Sequence, residues 1–300
     1  MSWERAGRLA WIAPLLTLGS EVAFYVIADY PDSGSEGAEV FFLLTFLTYA
    51  VVGALIASRH PRNPVGWLFC AVGLHFAGSE VLYAYARDPA EPTGHVAAAW
   101  FYTWTGEPSA AAVVLLVLLF PTGSFLSRRW RLAGLGSVAA SAVWALALAF
   151  DPGPLRPVET IENPLGIDKA GAVLDPIAAF GPVVLLGVIC IAVAGAIARF
   201  RRARARERQQ LKWLALGASY LVAVVLATVV LLLLVDTDRG VWDLISALVI
   251  CSGIAALPLA AFSARLRDQV DLDALGTDLR GVVSETVQPA HVSLWLRSPR

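Results

Sequence analysis

Val183-Val184-Leu185-Leu186-Gly187-Val188-Ile189-Cys190-Ile191-Ala192-Val193-Ala194-Gly195-Ala196-Ile197-Ala198 is an apolar run, and Arg199-Phe200-Arg201-Arg202-Ala203-Arg204-Ala205-Arg206 follows it with no spacer. An α-helix needs about 20 such residues to cross roughly 30 Å of hydrocarbon. Lipid gives backbone amides no partner, so the run reads as a membrane-spanning helix. The arginines that stop it mark the face at which it leaves the bilayer.

Working outward, the same alternation recurs along all 300 residues. The chain is 57% hydrophobic and 16% charged, against roughly 25% charged in soluble proteins; mean hydropathy is +0.65. An ordinary soluble domain is excluded. Spans are predicted at 9–30, 39–58, 66–86, 96–120, 132–150, 172–198, 213–235 and 241–264. The fold class is therefore all-α, a polytopic transmembrane bundle of about eight helices over residues 1–264, followed by a cytoplasmic tail over 265–300. Turn chemistry separates the spans: Pro31-Asp32-Ser33-Gly34, Arg59-His60-Pro61-Arg62-Asn63-Pro64, Pro121-Thr122-Gly123, and a longer 151–171 loop with Asp151-Pro152-Gly153-Pro154 and Asn163-Pro164-Leu165-Gly166. Arg5 and Arg8 before an apolar run resemble a signal peptide. The run contains Glu21, however, and no small-residue cleavage site follows, so it reads as a retained first helix.

Orientation follows from the basic residues. Of the 23 Lys and Arg, all but Arg87, Arg156, Lys169 and Arg239 fall on one side of an alternating topology. That side is predicted to be cytoplasmic, with both termini on it. Acidic residues gather on the other, among them Asp32, Glu36, Asp88, Glu91, Asp151, Glu159, Glu162 and Asp168. The expected location is the plasma membrane. Trp11, Tyr30, Trp67, Tyr85, Trp100, Trp130, Trp213 and Trp242 lie near span ends and read as interfacial anchors. Arg199, Arg201, Arg202, Arg204 and Arg206 are expected to contact lipid headgroups, worth about 1 kcal/mol each, and no nucleic-acid partner is needed to account for them. Cys70, Cys190 and Cys251 all lie inside spans and read as small packing residues.

Ionisable groups inside spans are costly and usually face a bundle interior. Glu21, His75, Glu80 and Glu107 are such groups, all in the first four spans, with Tyr102, Thr103, Thr105 and Ser109 around Glu107. Spans 1 and 3 echo each other in Gly19-Ser20-Glu21-Val22 and Gly78-Ser79-Glu80-Val81. Two readings fit: an outward-facing pocket for a cation, proton or small polar ligand, or interhelical hydrogen bonds that hold the bundle together. No metal or cofactor is expected, since no second His or Cys stands at ligand spacing from His75. Walker, His-Glu-x-x-His and Gly-x-Ser-x-Gly motifs are missing from the sequence, so no enzyme is expected. The Gly-Ser pairs read as small-residue helix packing rather than as a serine nucleophile served by His75.

The tail is predicted to form an amphipathic helix over 271–287, with Asp271 as N-cap and Pro289 beyond its end, and then a strand at Val292-Ser293-Leu294-Trp295-Leu296-Arg297. Arg59-His60-Pro61-Arg62-Asn63-Pro64-Val65-Gly66-Trp67, Leu119-Phe120-Pro121-Thr122-Gly123 with Arg128-Arg129-Trp130-Arg131, and Glu207-Arg208-Gln209-Gln210-Leu211-Lys212-Trp213-Leu214 resemble loop motifs of multi-spanning, actinobacterial-type sensor proteins related to histidine kinases. The tail is similar to the opening helix and strand of a GAF-type domain. The resemblance implies a membrane input module. A kinase phospho-acceptor helix and ATP-binding boxes are not found in the sequence, and no catalytic residue carries over. The expected function is a non-enzymatic membrane sensor or signalling accessory module, acting on a cytoplasmic signalling protein or a second copy through 265–300. The alternative is a small transporter or permease with an acidic intramembrane site.

Overall fold

The computed structural model describes residues 7–27, 36–88, 90–155 and 160–203. The spans expected at 213–235 and 241–264, the tail helix and strand, and the 31–34 turn lie outside the described residues. Seven helices are described: α1 (Ile12–Ile27), α2 (Glu36–Arg59), α3 (Pro64–Ala86), α4 (His95–Leu119), α5 (Arg128–Phe150), α6 (Gly171–Ala179) and α7 (Gly181–Arg202). Among the described residues the fold is a helical bundle. Its one β feature there is an isolated bridge between Pro154 and Glu162. Five helical segments are long and apolar enough to cross a membrane: 7–27, 64–86, 95–119, 128–150 and 168–202. The 24-residue α2 adds a shorter apolar stretch, Leu44–Arg59.

Local chemistry sets the helix ends. Asn63 caps α3, its side-chain oxygen accepting from the Val65 amide at 3.0 Å, and Pro64 fills the first-turn position whose missing N–H costs nothing there. Asn163 closes α5 from the far side of its loop, donating to the carbonyls of Ala149 (3.1 Å) and Asp151 (2.8 Å). The sixth predicted span, 172–198, is corrected in one respect. It is two helices joined at Phe180, because Pro176 sits inside α6 and a second proline opens α7. The 22 residues of α7 cover about 33 Å at 1.5 Å each, enough to span unaided.

α3 sits at the centre of the first half, packed against α1, α2 and α4, and α4 in turn packs against α5 and α7. The α2–α3 crossing is the tightest, with glycine on both helices: Gly53 faces Gly66 and Cys70, and Gly73 faces Phe46 and Ala50. Without a hydrophobic drive between helices in lipid, such close backbone approach supplies much of the attraction. α5 buries an equally small stripe of Gly134, Ser137, Ser141, Ala145 and Ala149. The outward faces are aliphatic; Leu15 is 68% and Val26 75% exposed, a pattern costly in water and costless in lipid.

The two ends of the bundle differ in charge. At one end Gly7 lies against the carbonyls of Ala57 and Ser58, Asn63 donates to the Pro121 carbonyl at 3.2 Å, and Arg199 reaches the 118–124 segment. Arg8, Arg59, Arg62, Arg128, Arg129, Arg131, Arg199, Arg201 and Arg202 all belong to this end. At the other, Ala86, Ala98, Ala99 and Leu155 pack together and the Trp100 indole donates to Ala149 at 2.7 Å. Asp88, Glu91, Asp151, Glu162 and Asp168 lie there with Arg87 and Lys169. We call these the basic and acidic ends.

Candidate functional site

α1 buries one stripe, Pro14, Thr17, Glu21 and Phe24, at spacings of three and four residues, and Ala10 in the turn before it continues the stripe. The stripe is packed on α3. Near the basic end Ala10 shares a cluster with Cys70 of α3 and Ala54 and Ala57 of α2. Glu21 lies eleven residues beyond Ala10, and Glu80 ten beyond Cys70. At about 1.5 Å per residue both carboxylates therefore sit about 15–17 Å deeper. The Gly-Ser-Glu-Val echo thus falls at one depth on two neighbouring parallel helices.

Glu21 is 3% exposed, and its Oε1 has no hydrogen-bond partner among the described residues. The carboxylates of Glu21 and Glu80 lie near enough to repel each other. Glu80 also acts electrostatically on the Tyr102 hydroxyl of α4, and Tyr102 packs against Tyr83 with ring centroids 5.1 Å apart. One further polar group belongs here that the sequence reading did not single out. Thr17, one turn before Glu21, is fully buried, and its Oγ1 also has no partner among the described residues. Helical threonines normally bond back to the carbonyl four residues earlier, as Thr48 does to Leu44 (2.6 Å) and Thr103 to Ala99 (2.9 Å). That habit makes a lone Thr in an apolar helix uninformative in sequence.

The other expected members stand differently. His75 is five residues from Glu80, roughly 140° around α3. Its ring pairs with Ser79 of its own helix at 3.4 Å and with Phe76 edge-on, so it is not on the Glu21–Glu80 face. Glu107 lies in α4 five residues toward the basic end from Tyr102; its side chain lies outside what is described. Gly19 and Gly78 have nothing within 4 Å of an added Cβ. The packing role expected for the Gly-Ser pairs is therefore corrected: glycines that bring helices together include Gly53, Gly66 and Gly73, and not Gly19 or Gly78. Among the described residues no group of three or more His, Cys, Asp or Glu could hold a metal ion.

No protein-family model, curated protein or solved structure matches the chain. The residues alone carry the functional reading.

The basic end holds the most heavily hydrogen-bonded junction. Arg199 is 7% exposed. It donates to the carbonyls of Leu118 (2.7 Å) and Ser124 (2.6 Å) and to the Thr122 hydroxyl (3.1 Å). This departs from the headgroup contact expected of it, because the satisfied guanidinium is folded over the α4–α5 loop. Arg201 and Arg202 are exposed as a headgroup role requires; Arg204 and Arg206 lie outside the described residues. Gly123 is needed in that loop: its φ is +76°, and a side chain there would collide with the Asn63 amide oxygen. Asn63 thus ties the α2–α3 loop to the α4–α5 loop, and Arg199 ties the latter to α7.

Proposed function

We propose that this chain is a multi-pass sensor or signalling accessory module of the plasma membrane, with about eight spans and both termini in the cytoplasm. It is non-enzymatic, and it acts through a cytoplasmic protein or a second copy engaged by residues 265–300. The observation that carries the reading is the buried Glu21 carboxylate with the half-buried Glu80 on the neighbouring apolar helix, since ionisable groups inside spans are expensive and usually serve a function. The basic end supports the orientation, because Lys and Arg are retained on the cytoplasmic face. The tied loops at that end support coupling, since a change at the carboxylates can reach Asn63 along α3.

Deleting 265–300 from the full chain is expected to abolish partner capture in a membrane pull-down while leaving insertion intact. Unchanged capture would sink the tail as coupling element. The same carboxylate pair favours a second reading, a small permease. Flux of an ion or solute in proteoliposomes, lost in Glu80→Gln, would favour transport over sensing.

A further inference from the structure

We infer that Arg129 and Arg131 of α5, with Arg202 of α7, hold the phosphate of an anionic phospholipid where α5 begins beside α7. The inference goes beyond the sensor reading and stands or falls without it.

The two helix ends meet through printed contacts of their side chains. Trp130, in the first turn of α5, packs against Val188 and Ala192 of α7, and its ring lies 3.2 Å from where a Cβ on Gly195 would stand. One turn farther along α7, Arg199 donates to the Ser124 carbonyl at 2.6 Å, in the segment that leads into α5. Seven residues separate Gly195 from Arg202, so α7 runs about 10 Å past the level of Trp130. Its last arginine therefore stands just beyond the start of α5. Successive residues are about 100° apart on a helix, which sets Arg129 and Arg131 on either side of Trp130, the residue that faces α7. Arg128, two residues before Trp130, is turned away. Arg129, Arg131 and Arg202 are all exposed.

Charge decides the partner. Arginine at the C-terminal end of α7 suits the helix dipole, whereas arginine in the first turn of α5 opposes it. Among the described residues the basic end holds no Asp or Glu, so no carboxylate there offsets Arg129 and Arg131. An anion between the two helix ends removes both the mutual repulsion and the conflict with the dipole. The planar guanidinium pairs its N–H groups with phosphate oxygens, which selects phosphate over a simple halide. The level of the site selects a lipid as its source. Trp130 is an amphipathic ring of the kind that sits among headgroups, and the exposed Val193 and Ile197 of α7 offer acyl chains an apolar wall directly below Arg202. Basic sites between helix ends are a recurrent means of holding acidic headgroups.

Native mass spectrometry of the purified full chain, with phosphatidylglycerol and phosphatidylcholine added in equal amounts, tests this. One phosphatidylglycerol is expected to stay bound in preference to phosphatidylcholine. The double variant Arg129→Gln with Arg202→Gln should bind it at least roughly tenfold more weakly. The double variant Arg62→Gln with Arg128→Gln removes the same charge from the same end and should bind as wild type. Lysine at 129 and 202 keeps the charge without the planar fork, and should fall between. The wild-type unfolding midpoint gives a readout that does not depend on how well the variants fold. It should rise with phosphatidylglycerol concentration, as for any ligand that binds the folded state alone, and not with inorganic phosphate. Equal retention of the two lipids by the wild type, equal losses in the two glutamine pairs, or displacement of the lipid by inorganic phosphate overturns the proposal. Partner capture through the tail is scored separately, so the lipid site and the sensor reading can fail independently.

Discussion

Replacing Gly53 with alanine is expected to destabilise the bundle by about 1–2 kcal/mol net, a large cost for one methyl group. The new Cβ would stand 2.5 Å from the Cys70 amide nitrogen and 2.8 Å from the Gly66 carbonyl oxygen. Both are backbone atoms of α3 and cannot rotate away, so the helices must separate. Overpacking of this kind costs typically 1–3 kcal/mol and sometimes more; the better helix propensity of alanine returns up to about 1 kcal/mol. Gly66→Ala and Gly73→Ala should behave alike, since their added carbons would meet Ala57 N at 2.6 Å and Phe46 O at 2.7 Å. Gly19→Ala and Gly78→Ala, with open space at the site, should be neutral or slightly stabilising. Thermal or detergent-induced unfolding of the five purified variants checks the order. Equal stability of Gly53→Ala and Gly78→Ala would contradict the close α2–α3 approach.

A larger loss is expected for Arg199→Met, about 3–5 kcal/mol. The substitution keeps an unbranched apolar stem and removes every donor. The Leu118 and Ser124 carbonyls then lose charge-assisted bonds worth about 1.5–3 kcal/mol each, and what stays buried is left unsatisfied. Arg199→Lys should fall between, because one ammonium cannot reproduce the planar fork that spans the loop. Asn63→Ala removes a helix cap and the bond to Pro121, and is expected to cost about 1–2 kcal/mol. Substitutions at exposed Arg201 and Arg202 should stay within about 0.5 kcal/mol. Unfolding midpoints of the purified chain decide it; an Arg199→Met as stable as Arg202→Ala would mean that the junction is not held by the guanidinium.

The helices were legible because lipid imposes a length and a polarity on each crossing, and Asn63-Pro64 writes the start of α3 in the most local chemistry available. The interruption at Phe180 was not, since Pro176 and Pro182 flank it inside a stretch whose composition suits one continuous span. Arg199 was misread for a geometric reason. It looked like one member of a charge run, yet Val188, Ala192, Gly195 and Arg199 recur at helical spacing, and Val188 and Ala192 form the face that packs on α4. Arg201 and Arg202 are turned off that face. Glu21 and Glu80 could be singled out as costly in a span, and their shared tetrapeptide hinted at a common depth. That the two helices touch is a tertiary fact, as is the idle hydroxyl of Thr17. His75 shows the converse: rarity in an apolar helix drew notice, but its angular position on α3 separates it from the pair.

Gly123, Asn63 and Arg199 have a joint mechanical meaning. Three segments far apart in the chain are pinned to one another through rigid backbone carbonyls, so much of the slack that loops ordinarily hold is removed. Tilting α3 or α4 is then transmitted toward the departure point of α7 rather than being absorbed as loop wobble. The basic end is a stiff hub, in which a displacement of one helix end is shared by the other two rather than lost in loop motion.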